Sequence, residues 1–375
     1  MIRNSWYVAG FARDFKYKLE KKIIAGLPIV MWRTKDNAVA AFDARCPHKG
    51  FPLWDSNLLE NGTLQCGYHG LCYDAKGACT DIPSQRDIPI VPAAKLRAYP
   101  ITEQDGLVWI WPGDPAKAAG VEAPRIPEMI DPHYEVVVAD PPVTLRANYR
   151  LLMENVLDIT HFYPLHDGNI GDLSNSFIPV KMEETSVGGN PVVKMLRKAD
   201  RYQLPPFFQR WFDLDIVERE HTHTMTGPGL VRVDLRVAPQ GKLGTSEQRG
   251  YIVANAITPI DENHIEWRWM MIAQAGLRFP PDKSMTLVQG IAREFPAVVA
   301  EDVWALEKQQ EALEFSTAFP DGSRYREINL RADLGVAAAR RILSRMERAE
   351  GCELFGNPAT ADVLINCKTT EGVPV

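Results

Sequence analysis

The chain has 375 residues, of which 45% are hydrophobic and 24% are charged, values typical of a globular protein rather than a disordered, collagen-like or coiled-coil chain. The formal net charge is −6, and no basic run occurs, so we expect no nucleic-acid partner. No apolar stretch approaches the ~20 residues of a membrane helix, and the first ten residues are unlike a secretory signal. We therefore expect a cytoplasmic protein with no membrane partner.

The N-terminal part of the chain predicts a small all-β domain, because short β-branched and aromatic runs alternate with turn residues up to about residue 111. The predicted strands are 28–33, 39–43, 63–66, 71–73 and 107–111. A segment rich in Pro, Gly and Ala follows and predicts a linker. The expected organisation is a first domain at 1–115, a linker at 116–132 and a second domain at 133–375.

The second domain is predicted to be α+β with an antiparallel sheet. The expected strands are 134–139, 143–150, 229–238 and 248–273, the last folding back at 261–263. The expected helices are one that Pro164 ends, 285–315 and 332–350.

Four residues of ligand type occupy two short loops, Cys46-Pro47-His48 and, after 17 intervening residues, Cys66-Gly67-Tyr68-His69. Each loop supplies one thiolate and one imidazole, whereas zinc sites usually group the Cys pair and the His pair separately. In a two-iron cluster one iron can take both thiolates and the other both imidazoles, the ligand set of a Rieske [2Fe-2S] centre. A structural zinc site and a chance arrangement are the alternatives.

Other residues near these loops have supporting or neutral roles. Gly50, Gly67 and Gly70 would let the loop backbone approach the cluster. The remaining cysteines are interpreted as small buried or surface residues without a function: Cys72, Cys79, Cys352 and Cys367.

A second group of candidate ligands begins in the segment 153–167. Asn155, Asp158 and His161 are spaced three apart, which predicts one face of a helix. His166 follows Pro164, which would end that helix and let the chain return the second imidazole towards the first. Two imidazoles and one carboxylate make the facial triad that leaves positions open on Fe(II).

The carboxylate of this triad is expected on the helical pattern near residue 300. Asp302 has apolar neighbours at helical spacing, and a carboxylate buried there needs a partner or a metal. Glu301 has comparably apolar neighbours, so helical geometry alone does not choose between the two. His221 and His223 alternate onto one face of a strand, for which a polar sheet face is the expected explanation, with a pocket lining or a metal site as alternatives.

These two constellations resemble the oxygenase α subunits of the Rieske non-haem iron family over nearly the whole chain and in the expected order. The resemblance implies cluster ligands at Cys46, His48, Cys66 and His69 and iron ligands at His161, His166 and Asp302, which favours Asp302 over Glu301. It also implies a bridging role for Asp158 and a fold made of a Rieske domain followed by a helix-grip-like catalytic domain. Together with Asn4-Ser5-Trp6-Tyr7-Val8-Ala9, the motif Asn155-x-x-Asp158-x-x-His161 looks most like the demethylating branch.

The resemblance further implies a homotrimer that receives electrons from NAD(P)H through a ferredoxin, a reductase or both. Electrons would pass between subunits through His69, Asp158 and His161. The expected reaction uses O2 to hydroxylate an alkyl carbon on oxygen or nitrogen of a small aromatic compound, which then releases an aldehyde. The alternatives are cis-dihydroxylation of an aromatic ring and, from another class, a Rieske electron carrier without oxygenase activity.

The substrate itself is not readable from the sequence, but mostly apolar candidates for its pocket are. They are Leu157, Ile159, Phe162, His223, Val233, Asn255, Ile257 and Arg293. Arg293 could pair with a substrate carboxylate, although a surface salt bridge is the more common role of a helical Arg.

Overall fold

The computed structural model describes residues 1–278, 284–315 and 318–351. The chain divides into two compact units, one formed by residues 3–125 and the other by residues 1–2 with the chain from residue 126 onward. Cys352 and Cys367 lie outside the described residues. Within the described part of the chain, no helix combines the length and the apolarity that crossing a bilayer requires.

The smaller unit is built from short antiparallel strands. They are Tyr7–Phe11 (β1), Glu20–Ile24 (β2), Leu27–Arg33 (β3), Val39–Asp43 (β4), Asn57–Leu58 (β5), Leu64–Gln65 (β6), Cys72–Tyr73 (β7), Cys79–Asp81 (β8), Ile101–Gln104 (β9) and Leu107–Ile110 (β10). Three sheets result, with the orders β1-β10-β9, β2-β3-β4 and β5-β6-β7-β8. This confirms the predicted all-β character, although β1, β2, β5, β8 and β9 were not predicted. A single helical turn, Pro115–Ala118 (α1), follows within the segment expected to be a linker.

The sheet formed by β2, β3 and β4 has apolar residues on both faces. Val30 and Trp32 of β3 pack in one hydrophobic cluster, and Ile29 and Met31 pack in another. A strand that is buried on both faces has a continuous apolar sequence instead of an alternating one. The cluster that contains Trp32 also contains Cys46 and Cys66, so the candidate ligand loops begin from a rigid core.

The larger unit contains one long antiparallel sheet and the helices that pack on it. Its strands are Tyr134–Val138 (β11), Val143–Leu145 (β12), Val180–Val187 (β13), Asn190–Gln203 (β14), Ile216–Thr226 (β15), Leu230–Ala238 (β16), Arg249–Pro259 (β17) and Ile265–Gln274 (β18). Its helices are Tyr149–Leu157 (α2), Phe162–Leu165 (α3), Pro206–Phe212 (α4), Leu287–Leu313 (α5) and Leu334–Ala349 (α6). The strand order is β11-β18-β17-β16-β15-β14-β13, and β12 also pairs with β18. The predicted α+β class and antiparallel sheet are confirmed.

One face of this sheet, here called the inner face, packs against the helices. A row of directly paired residues shows it: His223 of β15 lies opposite Val233, Val233 opposite Val253, and Val253 opposite Met271. The three apolar members belong to the hydrophobic core that includes residues of α2, α4, α5 and α6. Odd-numbered residues of β15 therefore point towards the helices.

The expected end of one strand in this unit is wrong. The strand expected at 143–150 ends at Leu145, because Asn148 caps helix α2 by accepting a hydrogen bond from the Arg150 backbone amide. An Asn at such a position stabilises a helix start more than strand continuation. The strands β13 and β14 and helix α4 were not predicted, and of β15 only the alternation at His221 and His223 was recognised.

Helix α2 is held against α6 by buried charges. Arg340 of α6 forms two hydrogen bonds with the carboxylate of Glu154, at 2.6 and 2.8 Å. On the same helices, Arg150 pairs with Glu347, which also accepts a hydrogen bond from the hydroxyl of Tyr149. Burial raises the pKa of Glu154 although Arg340 opposes this effect, so the Glu154 carboxylate depends on its partner.

We expect Arg340→Ala to lower the free energy of unfolding of this unit by about 3 kcal/mol, because it leaves a buried carboxylate unpaired. The neighbouring Arg341→Ala is the matched control, since Arg341 pairs with Glu184 in an exposed ion pair that contributes less than about 1 kcal/mol. Hydrogen exchange of α2 and α6 peptides along a urea series measures both. Equal effects of the two substitutions would contradict a structural role for the buried pair.

Candidate metal centres

The two Cys/His loops of the smaller unit have the same backbone hydrogen bonds. In the first, the Cys46 amide donates to the carbonyl of Phe51 (3.0 Å) and the Gly50 amide donates to the carbonyl of Cys46 (2.8 Å). In the second, the Cys66 amide donates to Leu71 and the Gly70 amide to Cys66, at 2.8 and 3.0 Å. Gly50 and Gly70 have φ values of +68° and +74°, which favour glycine. The loops are therefore structural equivalents that each present one Cys and one His.

Like side chains of the two loops lie close together, His with His and Cys with Cys. The Nδ1 atoms of His48 and His69 lie 3.2 Å apart, close to the separation of roughly 3.3 Å for two nitrogens that bind one metal ion at about 2.1 Å. The thiols of Cys46 and Cys66 interact with each other. Both cysteines are buried, whereas both histidines are exposed. The residues fit a two-iron cluster, which Cys46 and Cys66 would hold from the buried side and His48 and His69 from the exposed side.

Burial and hydrogen bonding act on the sulfur of Cys66 in opposite directions. Burial raises the pKa of the Cys66 thiol, against backbone hydrogen bonds from Tyr68 and His69 that favour its thiolate. The hydroxyl of the buried Tyr73 lies 3.3 Å from Cys46 Sγ, and hydrogen bonds to cluster sulfurs tune the potential. Tyr73 was not singled out from the sequence, where it is one more aromatic residue in a strand. Cys72 instead donates to the carbonyl of Gly70.

In the larger unit, the predicted helix that should carry Asn155, Asp158 and His161 on one face is shorter than expected. Helix α2 ends at Leu157, and Asp158 is extended (φ −93°, ψ 135°). The reason is the Asp158 carboxylate, which accepts hydrogen bonds from both the amide and the hydroxyl of Thr160, each at 2.8 Å. Such a side-chain bond competes with helix continuation. Pro164 does not end a helix but lies within α3.

This break turns His161 and His166 towards helix α5. Asp302 Oδ1 lies 3.7 Å from His161 Nε2 and 3.3 Å from His166 Nε2. The three donor atoms lie within 4.8 Å of one another, and the described residues contain no other group of three or more such donors. Donors around one first-row metal ion at about 2.1 Å are roughly 3.0 to 3.4 Å apart, so the group fits an iron ion after small adjustments.

Neighbouring side chains orient this group. Asn155 donates to Asp302 Oδ1 (2.9 Å). His166 Nδ1 donates to Glu301 Oε2 (2.7 Å), and Asn169 donates to the other oxygen of Glu301 (2.9 Å). Although burial opposes it, these carboxylates raise the pKa of His166. The structure thus separates the two carboxylates that helical geometry left open: Asp302 faces both Nε2 atoms, and Glu301 holds the far side of one ring.

Asp158 lies on the other side of His161. Its Oδ2 atom is 3.7 Å from His161 Nδ1, a buried nitrogen without a hydrogen-bond partner among the described residues. Although burial opposes it, His161 and Thr160 lower the pKa of Asp158. An imidazole with one nitrogen facing the donor group and the other facing a carboxylate is the arrangement found for metal-binding histidines.

The residues predicted to line a substrate pocket fall into three groups. Leu157, Ile159, Val233 and Ile257 are buried, and Phe162 packs edge-on against His161 with ring centroids 5.0 Å apart. Asn255 is buried, but its side-chain oxygen accepts a hydrogen bond from Trp267 Nε1 and its side-chain NH2 group donates to strand carbonyls. Arg293 is exposed, with its guanidinium over the Trp211 ring, and nine residues of helix place it about 13 Å along α5 from Asp302.

His221 and His223 lie on a polar part of the sheet, as expected, but this part is buried on the inner face. The ring of His221 lies 6.2 Å from that of Phe162, and His223 Nδ1 donates to the carbonyl of Val156 at 2.5 Å. Two buried arginines, Arg197 and Arg219, lie beside them. Sequence reasoning missed Arg197 because β14 was not recognised as a strand, and Arg219 because the strand through His221 and His223 was not extended back to it. The local signal that could have placed them is the alternation within each strand. Met195 and Arg197 share one face of β14, and Arg219 and His221 share one face of β15.

Comparisons with known proteins agree with this geometry. Residues 5–99 match the Rieske [2Fe-2S] domain, and residues 145–349 match the vanillate O-demethylase oxygenase C-terminal domain. The chain belongs to the Rieske non-haem iron oxygenases of the vanillate O-demethylase type. The resemblance read from the two ligand constellations is therefore confirmed.

Individual relatives cover nearly the whole chain. The oxygenase subunit of vanillate O-demethylase from a Pseudomonas species is 30% identical over 88% of this chain and 98% of its own length. A putative toluene-4-sulfonate monooxygenase iron-sulfur subunit from Comamonas testosteroni is 29% identical over 93% and 98%. The crystal structure of dicamba monooxygenase bound to dicamba superimposes with a TM-score of 0.78 at 26% identity, covering 94% of this chain and 99% of that chain. This oxygenase thus shares both its domains with enzymes that carry a [2Fe-2S] cluster and non-haem iron.

We expect Glu301→Ala to weaken Fe(II) binding by about tenfold or more, because His166 loses the partner that orients its ring. Glu311→Ala is the control, since Glu311 is an exposed carboxylate on the same helix, paired with Lys308. Competition between the iron-depleted protein and a coloured Fe(II) chelator measures the affinity. Wild-type affinity in Glu301→Ala would show that the ring is held by packing alone.

Proposed function

We propose that this oxygenase removes a methyl or other alkyl group from oxygen or nitrogen of a small aromatic compound. The observation that carries the proposal is the convergence of His161, His166 and Asp302, with no fourth donor of this kind among the described residues. Three protein ligands on one side of an iron ion leave the positions that oxygenation chemistry needs. Electrons come from NAD(P)H through a reductase or ferredoxin, as the family requires of an oxygenase component.

The balance of the reaction defines its products. A methoxyarene, O2, two electrons and two protons give a hydroxymethyl ether and water, and the ether collapses to a phenol and formaldehyde. When bound, the cluster would supply single electrons and the iron would supply the activation of dioxygen. The chain's residues hold the ligands: Glu301 orients His166, Asn155 orients Asp302, and Asp158 faces His161. The apolar side chains of Leu157, Val233 and Ile257 keep water out of the surrounding core.

Product analysis with 18O2 tests this reaction. Across methoxylated and N-alkylated aromatics, we expect formaldehyde in equal amount to the dealkylated product for at least one substrate, and one labelled oxygen in the hydroxymethyl intermediate. A doubly labelled cis-diol without aldehyde would instead identify a ring dioxygenase and contradict the proposal.

Asp302→Ala should separate the two metal centres. We expect wild-type protein to contain three irons per chain, and the variant to keep two with an unchanged Rieske visible and spin-resonance spectrum but no turnover. Metal analysis of both proteins measures this. Two irons per chain in the fully loaded wild-type protein would contradict the oxygenase function and indicate an electron carrier.

Asp158→Asn should keep both metal centres and lose most turnover. The amide oxygen of Asn can still accept from the Thr160 amide, so the chain break survives, but the carboxylate that faces His161 Nδ1 is gone. Single-turnover kinetics with the prereduced cluster are the measurement, and we expect cluster reoxidation to slow by at least tenfold. Unchanged reoxidation would remove Asp158 from the electron path.

We further propose a homotrimer in which the cluster of one chain supplies the iron of its neighbour. The exposure of His48 and His69 supports this, because the imidazole-bound iron then lies at the surface of its unit. The test is co-expression of the Cys66→Ser chain with the Asp302→Ala chain. We expect each variant alone to be inactive and the mixed oligomers to recover activity. A monomer of 42.1 kDa, or mixed oligomers without recovery, would contradict transfer between chains.

A further inference from the structure

The inner face of the sheet carries two buried arginines that form no ion pair. Arg197 of β14 and Arg219 of β15 are 3% and 4% exposed, and neither is within 4.0 Å of a carboxylate oxygen among the described residues. This differs from the buried Arg150 and from the partly buried Arg340 and Arg232, each of which pairs with a glutamate. A buried guanidinium without a counter-charge destabilises a fold, so its presence calls for a ligand.

The two arginines differ in how many partners they have. Arg219 donates to Asn175 Oδ1 and to His221 Nδ1 (2.8 Å), and lies over the ring of Tyr202 at 4.6 Å. Arg197 has a buried Nη1 atom with no hydrogen-bond partner in the described part of the chain. Burial lowers the pKa of both guanidinium groups. Arg197 is therefore the unsatisfied member.

The two carboxylates that interact electrostatically with these arginines accept their hydrogen bonds from other groups. Burial lowers the pKa of both guanidinium groups, and the negative charge of Asp158 opposes this for Arg197, as that of Asp172 does for Arg219. The oxygens of Asp158 accept from Thr160, and those of Asp172 accept from Ser174 and from the hydroxyl of Tyr202. These anions moderate the positive charge without satisfying the hydrogen bonds of Arg197.

This cluster lies next to the candidate iron ligands. Arg197 and His221 are directly paired across β14 and β15, so their side chains lie side by side on the inner face. The His221 ring contacts Phe162, which contacts His161. A ligand held by Arg197 beside His221 would thus lie near Phe162, whose ring packs against His161.

The unpaired atoms indicate the chemistry of that ligand. Because an arginine can only donate, His221 accepts at Nδ1 and carries its proton on Nε2, which makes it a second donor beside Arg197. A guanidinium fork pairs two N–H groups with two oxygens of one oxyanion and binds them more strongly than neutral acceptors. His223 Nε2 is buried without a partner, and since its Nδ1 donates to Val156, it can accept from a hydroxyl or an N–H of the same ligand.

We propose that Arg197, supported by Arg219 and His221, is a recognition site for one negative charge on the substrate, a carboxylate or a sulfonate on the aromatic ring. The inference rests on the proposed oxygenase function, because it assigns the substrate class of that site. The competing explanation is that Arg197 serves only as an electrostatic partner of Asp158. That role would affect turnover of charged and neutral substrates alike and would not affect binding selectivity.

The test is equilibrium binding by calorimetry to the iron-loaded, oxidised protein without electron donor. The probes are matched pairs of 3- and 4-substituted compounds: methoxybenzoates with methoxybenzamides, and methylbenzenesulfonates with methylbenzenesulfonamides. We expect wild-type protein to bind at least one anion about tenfold or more tightly than its amide, as one charge-assisted hydrogen-bond pair provides. The preferred pair distinguishes carboxylate from sulfonate.

In Arg197→Met we expect this preference to fall below about threefold, with unchanged iron content and Rieske spectrum. Arg236→Met is the control: Arg236 is on the opposite face of the same sheet, exposed and paired with Glu220, and its loss should leave the preference intact. We also expect the melting temperature of Arg197→Met to stay equal or rise, since an unpaired buried charge is removed. A clear drop would mean that the guanidinium has a structural role and would overturn the inference.

The inference is also overturned if wild-type protein binds no anion more tightly than its amide, or if Arg197→Met keeps the full preference. These outcomes differ from a failure of the proposed function. Because binding is measured without turnover, an anion preference in a protein with two irons per chain would support the recognition site and contradict the oxygenase function. Dealkylation of neutral aromatics without an anion preference would do the reverse.

Discussion

The catalytic unit depends on bringing one carboxylate of helix α5 to two histidines that are far from it in sequence. His166 and Glu301, 135 residues apart, are joined by a 2.7 Å hydrogen bond, and Asp302 is the next residue along the chain. The contact requires helix α2 to stop early. The Asp158 carboxylate stops it by binding Thr160, so that His161 leaves the helical direction and faces α5. Asp158 therefore has two roles that only a short acidic side chain combines, ending the helix and facing His161 Nδ1.

Electrostatics separates the supporting parts of this unit from its ligand-binding part. Where α2 meets α6, every buried charge has a partner, as Glu154 with Arg340 and Arg150 with Glu347 show. On β14 and β15, Arg197 and Arg219 are buried without an acidic partner among the residues that the structure describes. Proteins tolerate unpaired buried charges where function needs them, at a cost in stability. The contrast within one fold is the physical basis for assigning Arg197 to recognition.

In the smaller unit, the positions of the candidate ligands depend mainly on hydrogen bonds within each loop. Its four candidate ligands lie in two loops of equivalent geometry, each closed by a glycine with positive φ. Because each loop closes on its own hydrogen bonds, the pairing of one Cys with one His is a local property. The sheets then have only to hold the two loops face to face, which the cluster around Trp32 does.

This difference explains which predictions succeeded. The Cys/His pairs, the all-β first unit and the strands Leu230–Ala238 and Arg249–Pro259 follow from spacing and alternation within short windows. The helix through His161 was wrong, because apolar periodicity continued past a side chain that competes for the backbone. Tyr73 could not be found and the role of Glu301 could not be assigned, since nothing in their own segments shows that they meet a sulfur or an imidazole.

By itself the sequence determined the chemical types of the ligands, their grouping into two sets and the order of the two units. These are encoded in spacings of a few residues, and local geometry follows from such spacings. Only the tertiary structure decided that Asp302 and not Glu301 faces both Nε2 atoms, and that Arg197 lies unpaired beside His221. Both depend on how one strand or helix packs against another distant in sequence, and the free energy of that packing is a property of the whole core.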